Sequence, residues 1–399
     1  MSGRSGSPDG ARRQLVLIVA VQILAMSVWF SAAAVVPSLT SDWGISSSAA
    51  GWLTTSVQIG FVVGAIASAV LNLPDRIQIG RLIAGSALVA SLSTALLGLL
   101  SDGLLTAVPL RFVTGIALAG VYPLGAKLVA SWFTGARGLA MGIVLAALTL
   151  GSGLPHLVSS FGQLPWRTVL MVTAAMCLLA AFLALRARIG PHASEGSSLH
   201  PRYVISMLAD RRQRSINLAY FGHMWELYAL WTWMPLFLAF SLAAQGSPAD
   251  GTTIGLISFF AIGVAGCAGC IAAGVLARRS DPMFLARVAL VASGVCCAIS
   301  PAVFGASLWI LVPVLLFWGF AVIADSPMFS TALSHAADPA YVGTALTAQM
   351  AIGFLITAIA IRVTPLMADL TGWRWAFLIL LPGPILGVLA SFRPKPRPG

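Results

Sequence analysis

Charge is what this 399-residue chain has least of. Asp and Glu number 12, Lys and Arg 23, and charged residues make up 9% of the sequence, where a soluble globular domain carries roughly a quarter. That scarcity excludes an ordinary water-soluble fold. Cysteine is also sparse. Cys177, Cys267, Cys270, Cys296 and Cys297 all fall inside apolar stretches, which argues for small packing residues and against a disulfide framework. Cys267-x-x-Cys270 has metal-like spacing, but no second pair or His ligands lie near it, so no metal or cofactor is expected. A glycine-rich phosphate loop is missing too, which removes nucleotide hydrolysis as an energy source. No nucleophile–base set stands out, and an enzyme is the least supported class.

What fills the chain is apolar: 58% of residues are hydrophobic. Uninterrupted runs of about 20 residues recur, each long enough to cross a ~30 Å hydrocarbon core. Twelve such segments are expected, at 14–38, 48–72, 79–100, 104–128, 137–161, 166–187, 215–241, 252–276, 284–305, 308–332, 342–366 and 373–392. They are continuously apolar and do not alternate, so they read as helices and not as strands of a barrel. The expected fold is an all-α integral membrane protein. Segment 1 is longer than a signal core and meets no clear cleavage site, so it counts as a span.

The net charge of +11 could suggest nucleic acid, but its distribution says otherwise. Eighteen cations fall on one side of the topology: Arg4, Arg12, Arg13, Arg76, Arg81, Arg137, Arg186, Arg188, Arg202, Arg211, Arg212, Arg214, Arg278, Arg279, Arg287, Arg393, Lys395 and Arg397. The other loops hold Asp42, Asp102, Asp250 and Asp369, with Arg167 and Arg374 as their cations. This asymmetry predicts an inner-membrane protein with both termini cytoplasmic. Its partners are then lipid, a small-molecule substrate and protons, with no nucleic acid, and it is expected to act as a monomer.

The longest polar stretch, 189–213, runs through Pro191, Glu195, Gly196 and Pro201. It divides the chain into residues 1–188, a cytoplasmic linker with a short helix over 202–212, and residues 214–399. The halves echo one another. Trp166-Arg167 opens segment 6 and Trp373-Arg374 opens segment 12; Pro37 matches Pro235, Pro123 matches Pro327, and Gly138 matches Gly343. Asp75-Arg76 follows segment 2, and Arg278, Arg279 and Asp281 follow segment 8. Matches in one order imply a duplication, giving two pseudo-symmetric six-helix bundles around a central cavity.

The loop Leu71-Asn-Leu-Pro-Asp75-Arg76-Ile-Gln-Ile-Gly80-Arg81 and the element Arg111-Phe-Val-Thr-Gly115 resemble motifs of the major facilitator superfamily of secondary transporters. The resemblance covers nearly the whole chain. Leu71 and Gln78 stand where the family usually has glycine. Gly142, Gly151, Gly153 and Pro155 are similar to the family's antiporter element, but their spacing departs from it and antiport is not inferred. Within the superfamily the chain is loosely similar to the cyanate-permease-like bacterial group. The resemblance implies alternating access, with segments 1, 4, 7 and 10 lining the cavity. It also implies that Asp75, Arg76 and Arg81 act as a gating latch, the alternative being a charge cluster that only sets topology.

Ionisable side chains within a bilayer are costly, so each is a functional candidate. Arg111 lies in segment 4, His223 and Glu226 sit one turn apart in segment 7, and Asp325 lies in segment 10. Arg111 is permanently charged and suits an anion or an acid partner. Glu226 could take the coupling proton and His223 could shuttle it. Asp325 could serve an inner gate. Trp29, Tyr122 and Tyr228 are candidate substrate-lining aromatics, whereas Trp231 and Trp233 suit the membrane interface. Each of these residues has a structural alternative, a buried group satisfied by packing. Lys127 and Arg362 are expected to snorkel. The functional expectation is proton-coupled transport of a small anionic solute. Its alternatives are efflux of amphipathic or cationic compounds, and a membrane sensor or scaffold that no longer transports.

Overall fold

The computed structural model describes residues 8–133, 137–162, 164–193, 200–246 and 250–392. Arg4, Glu195, Gly196, Arg393, Lys395 and Arg397 lie outside them. Among the described residues the secondary structure is helical, with no strand.

Eleven helical stretches are long and apolar enough to cross a membrane: Ser47–Val70, Ile79–Leu100, Leu104–Trp132, Leu139–Ser159, Trp166–Ala184, Arg211–Ala244, Gly251–Leu276, Pro282–Val303, Leu308–Ala336, Pro339–Thr371 and Trp373–Ser391. They coincide with expected segments 2 to 12 to within a few residues. The expected linker helix is also present, as Pro201–Ala209.

Segment 1 is not the continuous helix expected over 14–38. It forms α1 (Pro8–Met26), an irregular stretch over 27–32, a short turn at Ala33–Val35, and α2 (Val36–Trp43). Two further stretches are broken. Leu104–Trp132 divides into α3 (Leu104–Leu118) and α4 (Tyr122–Trp132), and Leu308–Ala336 divides into α5 (Leu308–Ala324) and α6 (Ser326–Ala336). In both, a proline occupies the first turn of the second piece: Pro123 in α4 and Pro327 in α6. Proline is accommodated there because a first-turn N–H has no intrahelical partner to lose.

Polar contacts define two ends of the molecule. At one end Gln14 bonds the backbone of Arg186 and Arg188, Trp132 donates to the Arg188 carbonyl, Ser215 donates to the Ala390 carbonyl, and Arg287 bonds Ser391. This linker end also carries Pro201–Ala209. At the far end Trp166 donates to Asp42, Arg167 reaches Asp102 at 2.7 Å, and Arg374 donates to the Pro301 carbonyl.

The outward faces carry Leu92, Leu99, Leu100, Phe182, Val288, Leu386 and Leu389, all exposed, as a lipid-facing surface requires. Inside, helices approach through small residues. A Cβ on Gly115 would lie 2.1 Å from the Val57 carbonyl oxygen, which shows how closely α3 lies on Ser47–Val70. Likewise a Cβ on Gly153 would lie 2.7 Å from Gly263 Cα, so Leu139–Ser159 and Gly251–Leu276 meet backbone to backbone. In that region Phe259–Ala265 is wound as a π-helix.

Candidate substrate and proton site

The break in segment 1 places Trp29 and Phe30 at the centre of the molecule, both fully buried. Trp29 stacks on Tyr228, with centroids 5.9 Å apart and planes 2° from parallel, and on Phe354 at 5.6 Å. Phe61 closes against Trp29 and Phe354 at 5.0 and 4.5 Å. Trp231 meets Phe30 and Tyr228 edge-on. Trp231 and Trp233 were expected near the interface, yet both are fully buried. These rings join Trp29, Phe30 and Phe61, from the first part of the chain, to Tyr228, Trp231 and Phe354, from the second, and they form an aromatic roof on the far-end side.

A second seal lies above that roof. Arg362 donates to the Ser48 carbonyl, its guanidinium lies 4.6 Å over the Trp52 ring, and Trp233 donates to the Ile361 carbonyl beside it. Arg362 therefore does not snorkel; it bridges Pro339–Thr371 to Ser47–Val70.

Besides Tyr228 of the roof, two more tyrosines, Tyr122 and Tyr220, pack against the same core. Tyr122 starts α4, while Tyr220 and Tyr228 lie two turns apart on Arg211–Ala244. Tyr122 is half-buried. Tyr228 is buried among the central rings and Tyr122 packs against the same core. Tyr220 joins them, and its position one turn before His223 is the sequence signal that could have singled it out.

Arg111 is fully buried and meets no carboxylate. Its Nε donates to the Leu53 carbonyl at 3.2 Å, Nη1 to the Val28 carbonyl at 2.8 Å and to Ser31 Oγ at 3.4 Å, and Nη2 to the Trp29 carbonyl. In this conformation the guanidinium is engaged, not held in reserve. It supplies donors to the carbonyls that the interrupted helix leaves open. Its charge therefore sits directly behind the backbone of Trp29.

His223 and Glu226 were expected to work as a pair. The structure separates them. Glu226 accepts from Trp318 Nε1 at 2.6 Å and from Ser293 Oγ at 2.9 Å, so both carboxylate oxygens are occupied by neighbouring helices. His223 instead lies with Asp325, where Nδ1 to Oδ1 is 2.8 Å and both side chains are 1% exposed. The oxygen lies off the ring N–H direction, so the two groups touch at hydrogen-bonding distance without an aligned hydrogen bond in this conformation. His223 Nε2 meets Ser326 Oγ at 2.8 Å. Asp325 is the residue on which α5 stops and α6 begins, and its carbonyl accepts the first free N–H groups of α6, from Met328 and Phe329.

Asp75 pairs with Lys127 at 2.8 Å, with both side chains over a quarter exposed, which ties the loop to α4 within the first half of the chain. Lys127 is thus an ion-pair partner and not a snorkelling cation. Arg76 and Arg81 are exposed, with no ion-pair partner among the described residues.

Known proteins match this architecture. A sequence profile of the Major Facilitator Superfamily matches residues 18–361. The chain belongs to that superfamily, and it is a membrane transporter. It is 25% identical to a gallate transporter of Pseudomonas putida, over 66% of this chain and 64% of that protein, so the match spans less than two thirds of that relative. It is also 25% identical to a protein named "Probable galactarate/D-glucarate transporter" from Pseudomonas putida, over 85% of this chain and 82% of the other. A niacin transporter of Acinetobacter baylyi is 25% identical over 51% of this chain and 54% of its own length. Among solved structures, the xylose–proton symporter XylE superposes with a TM-score of 0.72 at 16% identity, covering 96% of this chain and 95% of that one. The human organic anion transporter MFSD10 gives 0.68 at 17% identity, covering 97% and 100%. At such identities the likeness is one of fold.

Proposed function

We propose that the chain is a secondary active transporter that moves a small organic anion together with protons by alternating access. In this reading residues 8–43 cross the membrane as a twelfth, interrupted helix. Residues 1–188 and 214–399 form two six-helix bundles joined by the linker 189–213. The protein acts as a monomer in the inner membrane with both termini cytoplasmic, so the linker end faces the cytoplasm and the aromatic roof faces outward.

One observation carries the anion assignment: Arg111 is a buried guanidinium balanced by carbonyl dipoles and by no carboxylate. An uncompensated cation behind the cavity wall lowers the cost of bringing an anion to the centre. The relatives are named for gallate, galactarate/D-glucarate and niacin, all carboxylic acids. Interrupted helices at the midplane also fit a carrier, because they free backbone groups where a solute must be held. Buried acids on Arg211–Ala244 and at the α5–α6 break supply proton-binding groups.

The test is transport by purified protein in liposomes. Under an inward proton gradient, labelled gallate, D-glucarate or nicotinate should accumulate, with acidification of the lumen and loss of uptake when the gradient is collapsed. The aromatic roof also fits a hydrophobic cation. Movement of tetraphenylphosphonium and of none of the acids would establish that second reading instead.

A further inference from the structure

Four buried ionisable side chains occupy the middle of this molecule, and their surroundings divide them by task. Arg111 cannot release its proton, and its donors already lie on carbonyls. Glu226 receives two neutral donors, Trp318 Nε1 and Ser293 Oγ, each fixed on a neighbouring helix. That arrangement anchors the acid to its surroundings through one donor on each oxygen. His223 and Asp325 differ in three respects. They come from separate helices, they sit at the interruption of one of them, and they end on a hydroxyl, Ser326 Oγ, whose residue is only half-buried.

We propose that His223 and Asp325, joined across Arg211–Ala244 and the α5–α6 break, are the site at which the coupling proton is taken up and returned, with Ser326 as the passage between that site and the cavity. The inference rests on the proton coupling read above and gives it an address.

The transfer balances as a relay. In the unloaded state Asp325 is a carboxylate and His223 is neutral, with its proton on Nδ1. A proton from the cavity binds Ser326 Oγ as that hydroxyl passes its own proton to His223 Nε2. Once the carboxylate turns into line with the ring N–H, the Nδ1 proton moves to Asp325 Oδ1. One proton has entered, the pair has gone from one negative charge to none, and no other group has changed. Release runs the same steps backwards.

The position of Asp325 links this charge to helix geometry. It immediately precedes the first turn of α6, where the open N–H groups and the helix dipole favour a negative charge. Neutralising Asp325 removes that support from the start of α6 and so weakens the interruption itself. The groups facing the pair are few. Tyr220 and Glu226 approach from the same helix as His223, and Cys270 approaches from Gly251–Leu276. Cys296 and Cys297, on Pro282–Val303, lie on the Glu226 side. Phe329 of α6 packs on the imidazole at 5.7 Å. Among the described residues no cation other than His223 pairs with Asp325.

The experiment is a pH-difference infrared titration of purified protein in lipid, which reads protonated and ionised carboxyl groups directly and needs no substrate. A carboxyl band that responds to pH is expected in the wild type. It should vanish in Asp325→Asn, shift in His223→Gln and survive in Glu226→Gln. Asp325→Glu, which keeps the acid should Asn fail to fold, should retain the band at a displaced frequency. Ser326→Ala should leave the equilibrium titration in place and slow proton uptake tenfold or more in a stopped-flow measurement. The inference is overturned if no band titrates, if the band survives Asp325→Asn, or if it disappears in Glu226→Gln. A band that behaves as expected in a protein that moves no organic acid would leave this site standing and remove the anion reading instead.

Discussion

Trp29 and Tyr228 lie face to face at the centre of the molecule, 2° from parallel, although one belongs to the first part of the chain and the other to the second. The contact depends on the break in segment 1, since it is there that the indole turns inward. Trp29→Ala removes a fully buried ring and should destabilise the protein by about 3–5 kcal/mol. In an Arg362→Ala background, which opens the second seal, it should also expose a cysteine placed at Phe354 to a membrane-impermeant thiol reagent added from the far-end side. Trp29→Phe should restore most of the protection. Equal labelling in all three backgrounds would show that the roof does not seal.

Arg111 gives a prediction that separates architecture from binding. Arg111→Ala removes the guanidinium from the carbonyls of Val28, Trp29 and Leu53; Val28 and Leu53 keep bonds from Ser31 Oγ and Ser56 Oγ, so the main cost is the Trp29 carbonyl, at about 1–3 kcal/mol for a buried group left unsatisfied. Thermal stability should fall sharply. Glu226→Gln should not rescue it, because Glu226 is bonded to Trp318 and Ser293. Arg111→Lys keeps the charge but loses the planar fork, so it should fold with reduced stability and weakened binding of gallate in a thermal-shift titration. Recovery of Arg111→Ala by Glu226→Gln would mean that the two pair in another conformation.

Two glycines test the packing. Gly153→Ala introduces a Cβ 2.7 Å from Gly263 Cα, whereas a Cβ on Gly85 meets nothing within 4 Å. The first substitution should cost about 1–3 kcal/mol through overpacking. The second should be neutral or stabilise slightly through helix propensity, by up to about 1 kcal/mol. Melting temperatures of the two purified variants decide the matter.

Topology is tested most directly with reporter fusions. A reporter after Gly190 should be cytoplasmic and one after Gly44 should lie outside, following the arginine asymmetry. Both reporters on one side would mean that one of the five spans between Ser47 and Ala184 does not cross, whereas a reporter placed before Pro8 and found on the same side as the one after Gly44 would mean that residues 8–43 do not cross.

Much of this was legible in the residues. Apolar run length alone located eleven spans, because in lipid nearly every backbone group must bond within its own helix. Two of the breaks were marked by Pro123 and Pro327, which the repeat had already paired. Segment 1 carries the same sign only at its far side, Pro37 in the first turn of α2; the irregular stretch Ser27-Val-Trp-Phe-Ser-Ala32, where the helix first opens, contains neither proline nor glycine. Its cause is a guanidinium from about eighty residues later in the chain. The pairing of His223 was misjudged for a similar reason. One-turn spacing brings His223 and Glu226 near each other along a helix, but positions three apart still differ by roughly 60° around it. That angle turns Glu226 towards Trp318 and Ser293 while His223 meets Asp325. Arg362 looked like a helix-end cation because its partner, a backbone carbonyl at Ser48, leaves no trace in side-chain chemistry.

The glycine contacts between Leu139–Ser159 and Gly251–Leu276 run from Gly142 against Cys270 and Gly274, through Gly153 and Gly263, to Gly255 against His156 and Ser160. None of these glycines belongs to the tyrosines, the roof or the His223–Asp325 pair. A lineage carrying this chain can therefore alter what the centre accepts, one cavity side chain at a time, while the bearing between the two helices stays as it is. The freedom to change cargo and the demand for a constant fit fall on different residues, and mutation can explore the first without testing the second.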